Sequence, residues 1–293
     1  MKISFLVPAY NEEKNIGNVL KELKRHFPGH EIIVIDDAST DNTFRTAVEI
    51  CGDRVIRHNK NRGPGAAIKT GIHKATGDFV VIADADGQHP IEEIKKVADY
   101  VLENPAVDAV FTQRSNVYSS GFIRSAGKIL ISYVIRRLIA EKIRDHNCGL
   151  RAFKRDRILP FLFMLPDGFS YVTTSLVLAY KEDFSIHWIE IAMGQRKLGK
   201  SRVKIQHGFN TLLLVTRLIV IFDPLKFFLP ITGYSFLLGV ISILNSLVQT
   251  GTIGKNYIFF FLFGVLMFIL GLLSEQISML RKEIFLMKAK NGR

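Results

Sequence analysis

Cysteine is almost missing from this 293-residue chain: Cys51 and Cys148 stand alone, with no CxxC pair and no framework spacing. That leaves a zinc site and a disulfide scaffold without support, and two ordinary reduced thiols are expected. A dinucleotide fingerprint is also absent, because Gly63-Pro64-Gly65 is followed by Ile68 where G-x-G-x-x-G needs its third glycine. The glycine pair reads as a turn. The apolar run within Met1 to Val7 is far too short for a signal h-region, so no export signal is expected. No internal repeat or low-complexity tract is present. Acidic residues are scarce beside basic ones, 27 Asp and Glu against 39 Lys and Arg, for a formal net charge of +12. Such an excess favours anionic partners: nucleic acid, phospholipid headgroups or phosphorylated substrates.

What is present divides in two. Up to about Arg202 charged and apolar residues mix as in a soluble domain, whereas from Phe228 apolar residues dominate. In the first part, Ile3 to Val7, Glu31 to Ile35, Phe79 to Ala83 and Ala109 to Thr112 are short β-branched runs bounded by turn residues, the pattern of buried parallel strands. Asn15 to His26 carries Ile16, Val19, Leu20 and Leu23 at helical spacing, and Thr43 to Cys51, Gly65 to Ala75 and Ile91 to Glu103 can each form a helix. This alternation predicts an α/β domain with a mainly parallel sheet, in which ligands bind beyond the carboxyl ends of the strands.

In the second part, Phe228 to Val248 is 21 residues without a charge and Tyr257 to Leu273 is 17, extendable through Ile277. A span needs about 20 residues at 1.5 Å each, so a two-span hairpin is expected. Its connecting loop, Gln249 to Asn256, carries only Lys255, while the tail carries Arg281, Lys282, Lys288, Lys290 and Arg293. The positive-inside tendency then puts the N-terminal domain and the tail in the cytoplasm. Thr211 to Phe222, apolar, short and broken by Asp223-Pro224, suits a helix lying in the interface. Phe122 to Ile139 is a second amphipathic candidate, with Arg124, Lys128, Arg136 and Arg137 as its charge. The organisation expected is a catalytic domain over 1–205, a juxtamembrane segment over 206–227, two spans within 228–277 and a basic tail over 278–293.

Three polar clusters end three strand-like runs. After Phe79 to Ala83 comes Asp84-Ala85-Asp86-Gly87-Gln88-His89-Pro90. Two carboxylates two residues apart at a strand end can meet one hard divalent cation, with Gln88 as a further oxygen ligand and substrate phosphates completing the shell. After the first run stands Pro8-Ala9-Tyr10-Asn11-Glu12-Glu13, and after the second Asp36-Asp37-Ala38-Ser39-Thr40-Asp41. A ring such as Tyr10 can stack on a nucleobase or simply pack, and a carboxylate can accept from base or ribose. Ser39 or Asp41 can equally cap the next helix, the reading favoured for Asp41.

These clusters, with Asn61-Arg62-Gly63-Pro64-Gly65, Thr112-Gln113-Arg114, Asp145 to Phe153 and Arg196 to Arg202, resemble the family 2 glycosyltransferases of the glycosyltransferase A (nucleotide-diphospho-sugar transferase) fold. The likeness is to the dolichyl-phosphate mannose synthase and polyprenyl-phosphate glycosyltransferase branch, where a C-terminal hairpin is common. The resemblance implies that Pro8, Tyr10, Glu12 and Asp37 surround the nucleoside and that Asp84, Asp86 and Gln88 hold Mg²⁺ or Mn²⁺ and the diphosphate. It implies that Arg114 lies near the donor and acceptor phosphates, and that Arg124, Lys128, Arg196, Ser201 and Arg202 bind the lipid phosphate. Asp86 and Arg114 are the implied catalytic pair. The chain departs from the pattern at Arg202, usually Lys, and at Thr173-Thr174-Ser175, where an acidic residue is common. Trp188, the only tryptophan, sits in Ile186 to Glu190 and not in the QxxRW motif of processive polysaccharide synthases.

A chemical argument supports a phosphate acceptor. Transfer to a hydroxyl needs a general base, for which Asp145 and Asp86 are candidates, whereas a phosphate monoester with a second pKa of roughly 6 is already anionic at neutral pH. The implied reaction is an inverting transfer from a nucleotide-sugar donor to a polyprenyl or dolichyl phosphate at the cytoplasmic face of a membrane. Membrane lipids are expected partners and nucleic acid is not; self-association is left open. A lipid-hydroxyl acceptor and an inactive nucleotide-binding scaffold are the alternatives.

Overall fold

The computed structural model describes residues 1–115, 139, 145, 148–192, 216, 220–253 and 255–291. It divides into two compact units, Met1–His207 and Gly208–Arg293. The first unit alternates strand and helix: β1 (Ile3–Ala9), α1 (Ile16–His26), β2 (Glu31–Asp36), α2 (Thr43–Cys51), β3 (Val55–Arg57), α3 (Pro64–Lys74), β4 (Phe79–Ile82), α4 (Ile91–Glu103) and β5 (Ala109–Arg114). It continues with β6 (Arg151–Lys154), α5 (Arg155–Ile158), α6 (Tyr171–Lys181) and β7 (Ile186–Ile191). The four strands and four helices read from the sequence stand where expected, within a residue or two.

The strands form one sheet in the order β3-β2-β1-β4-β6-β5-β7. Only β6 runs against the others: β1 pairs in parallel with β2 and β4, β5 in parallel with β7, and β6 antiparallel with β4 and β5. Strand periodicity sorts the core. Ile3, Phe5 and Val7 of β1 join Ile16, Leu20 and Leu23 of α1 and Val97 and Val101 of α4 in one buried cluster. Leu6 points the other way, where with Ile35 it fills the space beside Gly71 of α3. Each fully buried side chain of this kind contributes about 1.5–3 kcal/mol.

Pro8 sets where the cleft opens. Ala83 N–H donates to Leu6 O at 3.0 Å, so alternate residues of β1 face β4, and the next in that series is Pro8, which has no N–H. The β1–β4 ladder ends there, while β1 stays paired with β2 through Ala9 opposite Asp36. Two adjacent parallel strands therefore part at their carboxyl ends.

In the second unit, α7 (Leu225–Thr250) and α8 (Asn256–Asn291) pack on each other. Phe261 covers Gly239, Phe236 covers Gly264, and Ser235 Oγ donates to Phe260 O at 2.7 Å. These are the close contacts through small residues that pair helices in lipid. Both are long and apolar enough to cross a membrane, with mean hydropathy 2.0 over Leu225–Thr250 and 2.5 over Asn256–Arg281. Only 17% and 11% of these stretches are buried, so neither is a core helix of the fold. The second helix outruns the span read from the sequence. Residues 278–291 contain no Pro or Gly and are rich in Met, Leu and Lys, so nothing stops the helix before Gly292.

Candidate active site

The polar loops at the carboxyl ends of β1, β2 and β3 are laced together. Asn11, at φ 53°, donates its N–H to Ser39 Oγ at 2.9 Å, and its Oδ1 accepts from Thr40 N–H at 2.8 Å. Glu12 N–H donates to Thr43 Oγ1 at 2.7 Å, and Glu12 Oε2 accepts from Asn15 Nδ2. Asp41, one position before the N-cap residue Asn42 of α2, accepts from Thr43 N–H at 3.0 Å and from Glu13 N–H at 3.3 Å. Ser39 instead ties one loop to the other. Pro8 and Tyr10 are half-buried at this edge.

Asp37 is buried, and its carboxylate gathers the third loop. It accepts from the N–H groups of Arg62 at 2.9 Å and Gly63 at 2.7 Å, and meets His58 Nδ1 at 2.7 Å. His58 Nε2 in turn contacts Thr70 Oγ1 at 3.0 Å on α3. With its lone-pair sites occupied in this way, Asp37 fixes the 58–63 segment. The Asp37–His58 pair had no signal in the sequence, since neither spacing nor pattern joins residues 21 apart. Gly63, at φ 97°, and Gly65 lie against the backbone of Asp167 and Pro166 with no room for a Cβ, which explains the glycine pair without a dinucleotide.

The carboxylate pair follows β4. Gln88 N–H donates to Asp86 Oδ1 at 3.0 Å across Gly87 at φ 70°, an Asx-turn that requires glycine at its bend. Asp84 Oδ2 lies 3.3 Å from His89 Nε2. The β4–β6 register, Ile82 opposite Arg151, brings Gly149 opposite Asp84, and a Cβ there would lie 2.5 Å from Asp84 Oδ2. Glycine is thus required where the returning strand passes the carboxylate. Burial pushes the Asp84 carboxyl upward, but the His89 hydrogen bond and the charges of His89 and Arg151 outweigh it and hold it below the usual carboxylate range.

Arg151 is itself buried and bonds Val172 O at 2.6 Å, Ser175 Oγ at 2.8 Å and Cys148 O. Thr173, Thr174 and Ser175 therefore present buried hydroxyls here, Ser175 engaged with the Arg151 guanidinium. Arg114, at the end of β5, is held by Asp145 in a two-pronged pair, Nε to Oδ2 at 2.6 Å and Nη2 to Oδ1 at 3.0 Å. Arg124, Lys128, Arg196, Ser201 and Arg202, with most of the Phe122 to Ile139 segment and most of Thr211 to Phe222, lie outside the described residues.

Among the described residues no three His, Cys, Asp or Glu side chains gather into a metal-binding cluster. Asp84 and Asp86 offer two carboxylates, the complement Mg²⁺ takes when substrate phosphates supply other ligands. The signature of Glycosyl transferase family 2 matches residues 4–159, more than half of the chain and all of these motifs up to β6. The chain belongs to glycosyl transferase family 2. As a family 2 glycosyltransferase it also carries the GtrB C-terminal hairpin, matched over residues 223–280. It is 30% identical over 303 residues to the undecaprenyl-phosphate 4-deoxy-4-formamido-L-arabinose transferase of Proteus mirabilis, covering 97% of this chain and 90% of that one. It is 29% identical over 231 residues to the dolichol-phosphate mannosyltransferase of Pyrococcus furiosus, covering 74% of this chain and 64% of that one. Among solved structures, Mycobacterium tuberculosis glucosyl-3-phosphoglycerate synthase in complex with Mn²⁺ and UDP-glucose superposes at a TM-score of 0.57 with 18% identity, over 74% of this chain and 78% of that one. The fold is that of glycosyltransferase A.

Proposed function

We propose that this enzyme transfers a sugar from a nucleotide-diphosphate sugar to a polyprenyl or dolichyl phosphate, with inversion, on the cytoplasmic side of a membrane. The observation that carries the reading is the end-to-end match to an undecaprenyl-phosphate sugar transferase, 97% of the chain, in which catalytic unit and hairpin are matched together. In this reading residues 1–205 form the catalytic domain, 206–227 the juxtamembrane segment, 228–277 the two spans and 278–293 the basic tail.

Pro8, Tyr10 and Glu12 surround the nucleoside, and Asp37 sets the edge of that pocket by fixing residues 62 and 63. Asp84, Asp86 and Gln88 are the residues to hold a divalent cation, as the Mn²⁺ and Mg²⁺ complexes of the mycobacterial structural neighbour suggest. Bound there, Mg²⁺ or Mn²⁺ supplies Lewis-acid neutralisation of the departing diphosphate. Arg114, aimed by Asp145, lies to the phosphates, while Arg124, Lys128, Arg196, Ser201 and Arg202 hold the lipid phosphate.

A phosphate oxygen of the acceptor attacks the anomeric carbon opposite the diphosphate. The new carbon–oxygen bond forms as the old one breaks, and the electron pair leaves on the diphosphate. No proton need be removed from an acceptor whose second pKa is roughly 6. Asp145, one of the two candidates for a base, is engaged with Arg114, which supports the phosphate acceptor over a lipid hydroxyl. The test is transfer by the purified full chain in neutral detergent from a panel of UDP- and GDP-sugars, with a polyprenyl phosphate beside the matching alcohol. The expected product is the lipid-phosphate sugar of inverted configuration from the phosphate alone. Equal rates with the alcohol would replace this reading by the hydroxyl one.

A further inference from the structure

The two carboxylates after β4 are anchored in different ways. Asp86 is held by its own turn, through the Gln88 N–H on Oδ1. Asp84 has no such turn; the donor on its Oδ2 is the ring of His89, 3.3 Å away. A carboxylate only accepts, so His89 Nε2 carries the hydrogen of that contact.

His89 is otherwise an odd residue for its place. Its side chain is 2% exposed, and Nδ1 is buried without a hydrogen-bond partner. Burying a polar ring with one nitrogen unmet is unfavourable, so an apolar residue of similar volume would suit mere packing better. Among the described residues, the ring's single polar contact is the one to Asp84. On that carboxylate, Oδ2 occupies the space that a Cβ at Gly149 of the returning strand would need, while Oδ1 takes no hydrogen bond among the described residues. One oxygen is clamped and the other is left available.

We infer that His89 is a positioning residue that clamps Asp84 Oδ2 so that Oδ1 faces the divalent cation. The inference rests on the reading of Asp84 and Asp86 as the cation-holding pair. It predicts that the hydrogen-bond donor, rather than the imidazole or its volume, is what matters. Partners of this kind, which orient a metal ligand, shift metal affinity by about 10- to 100-fold when removed.

The experiment measures Mn²⁺ affinity by electron paramagnetic resonance in the full chain in detergent, with UDP and with GDP, for wild type, His89→Leu and His89→Gln. Thermal unfolding of each variant accompanies it. Mn²⁺ affinity should fall by about 10- to 100-fold in His89→Leu and recover to within a few-fold in His89→Gln, whose amide N–H can reach the same oxygen. Unchanged affinity in His89→Leu overturns the inference. So does equal loss in both variants, which would assign His89 to packing. Absence of nucleotide-dependent Mn²⁺ binding by the wild type overturns the reading of the carboxylate pair itself, and is distinct from either variant result.

Discussion

The two ends of the sheet handle buried polar groups in opposite ways. At the amino end Glu31, buried at the start of β2, is fully engaged: Oε2 accepts from Ser4 Oγ, from Thr76 N–H at 2.8 Å and from Thr76 Oγ1 at 3.1 Å, and Oε1 pairs with Arg54. Ser4 Oγ also accepts from Gly77 N–H at 2.9 Å. At the carboxyl end satisfaction is incomplete. Asp36 Oδ1, His89 Nδ1 and Arg151 Nε are buried without partners, and Asp84 Oδ1 takes no hydrogen bond among the described residues. Arg155 Nε, beyond β6 at the amino end, is the exception. A closed network stabilises a fold, whereas unmet polar groups converging on one edge persist where something else is to be bound.

The comparison is sharpened most by Asp84→Asn, which keeps the shape and removes the charge. Transfer should fall by about three decades, several kcal/mol of lost transition-state stabilisation, while thermal unfolding barely changes. Activity near wild type would remove the carboxyl end's claim to the chemistry. Arg114→Gln comes next. It should lower transfer by roughly one to two decades, the worth of a charge-assisted bond to phosphate. It should also cost stability, because the buried Asp145 carboxylate loses its two-pronged guanidinium partner. Steady-state rates at subsaturating acceptor, beside melting curves, separate the two effects.

The smallest effect on transfer is expected at Glu31→Gln, with unchanged activity per folded molecule but about 1–3 kcal/mol less stability and a melting temperature lower by several degrees. Its pH dependence has a definite sign. Burial pushes the Glu31 carboxyl up, yet the bonds from Ser4 and Thr76 and the Arg54 charge bring it below its ordinary value. A carboxyl lowered on folding stabilises fully above its unfolded pKa of about 4.3 and loses that stabilisation as pH falls through the lower folded value. Melting curves from pH 7 to 3 should therefore converge for wild type and Glu31→Gln at the acid end.

Much of this contrast could be read from the chain. Strand-like runs ended in polar clusters, and Pro8, Asp84 and Asp86 stood at the ends that open. The hairpin was legible as charge-free length. What could not be read depends on pairing between distant segments. Gly149 is required only because β6 runs antiparallel beside β4, and β6 is four residues with an Arg at its start, too short for periodicity to mark. β3, three residues long, and β7, whose Ile186, Trp188 and Ile189 are only partly buried, gave equally weak signals. The Asp37–His58 and Arg114–Asp145 pairs join residues 21 and 31 apart. The motifs named the residues of the candidate site, and the fold supplied the partners that hold them.

The contrast between the ends is tested most directly by amide hydrogen exchange on the full chain in detergent, with and without UDP or GDP plus Mn²⁺. Ligand should slow exchange in residues 9–13, 37–41, 58–63 and 84–89 and leave 28–32 and 76–78 unchanged. Protection centred on 28–32 and 76–78, with the carboxyl-end loops unaffected, would contradict the placement of the site.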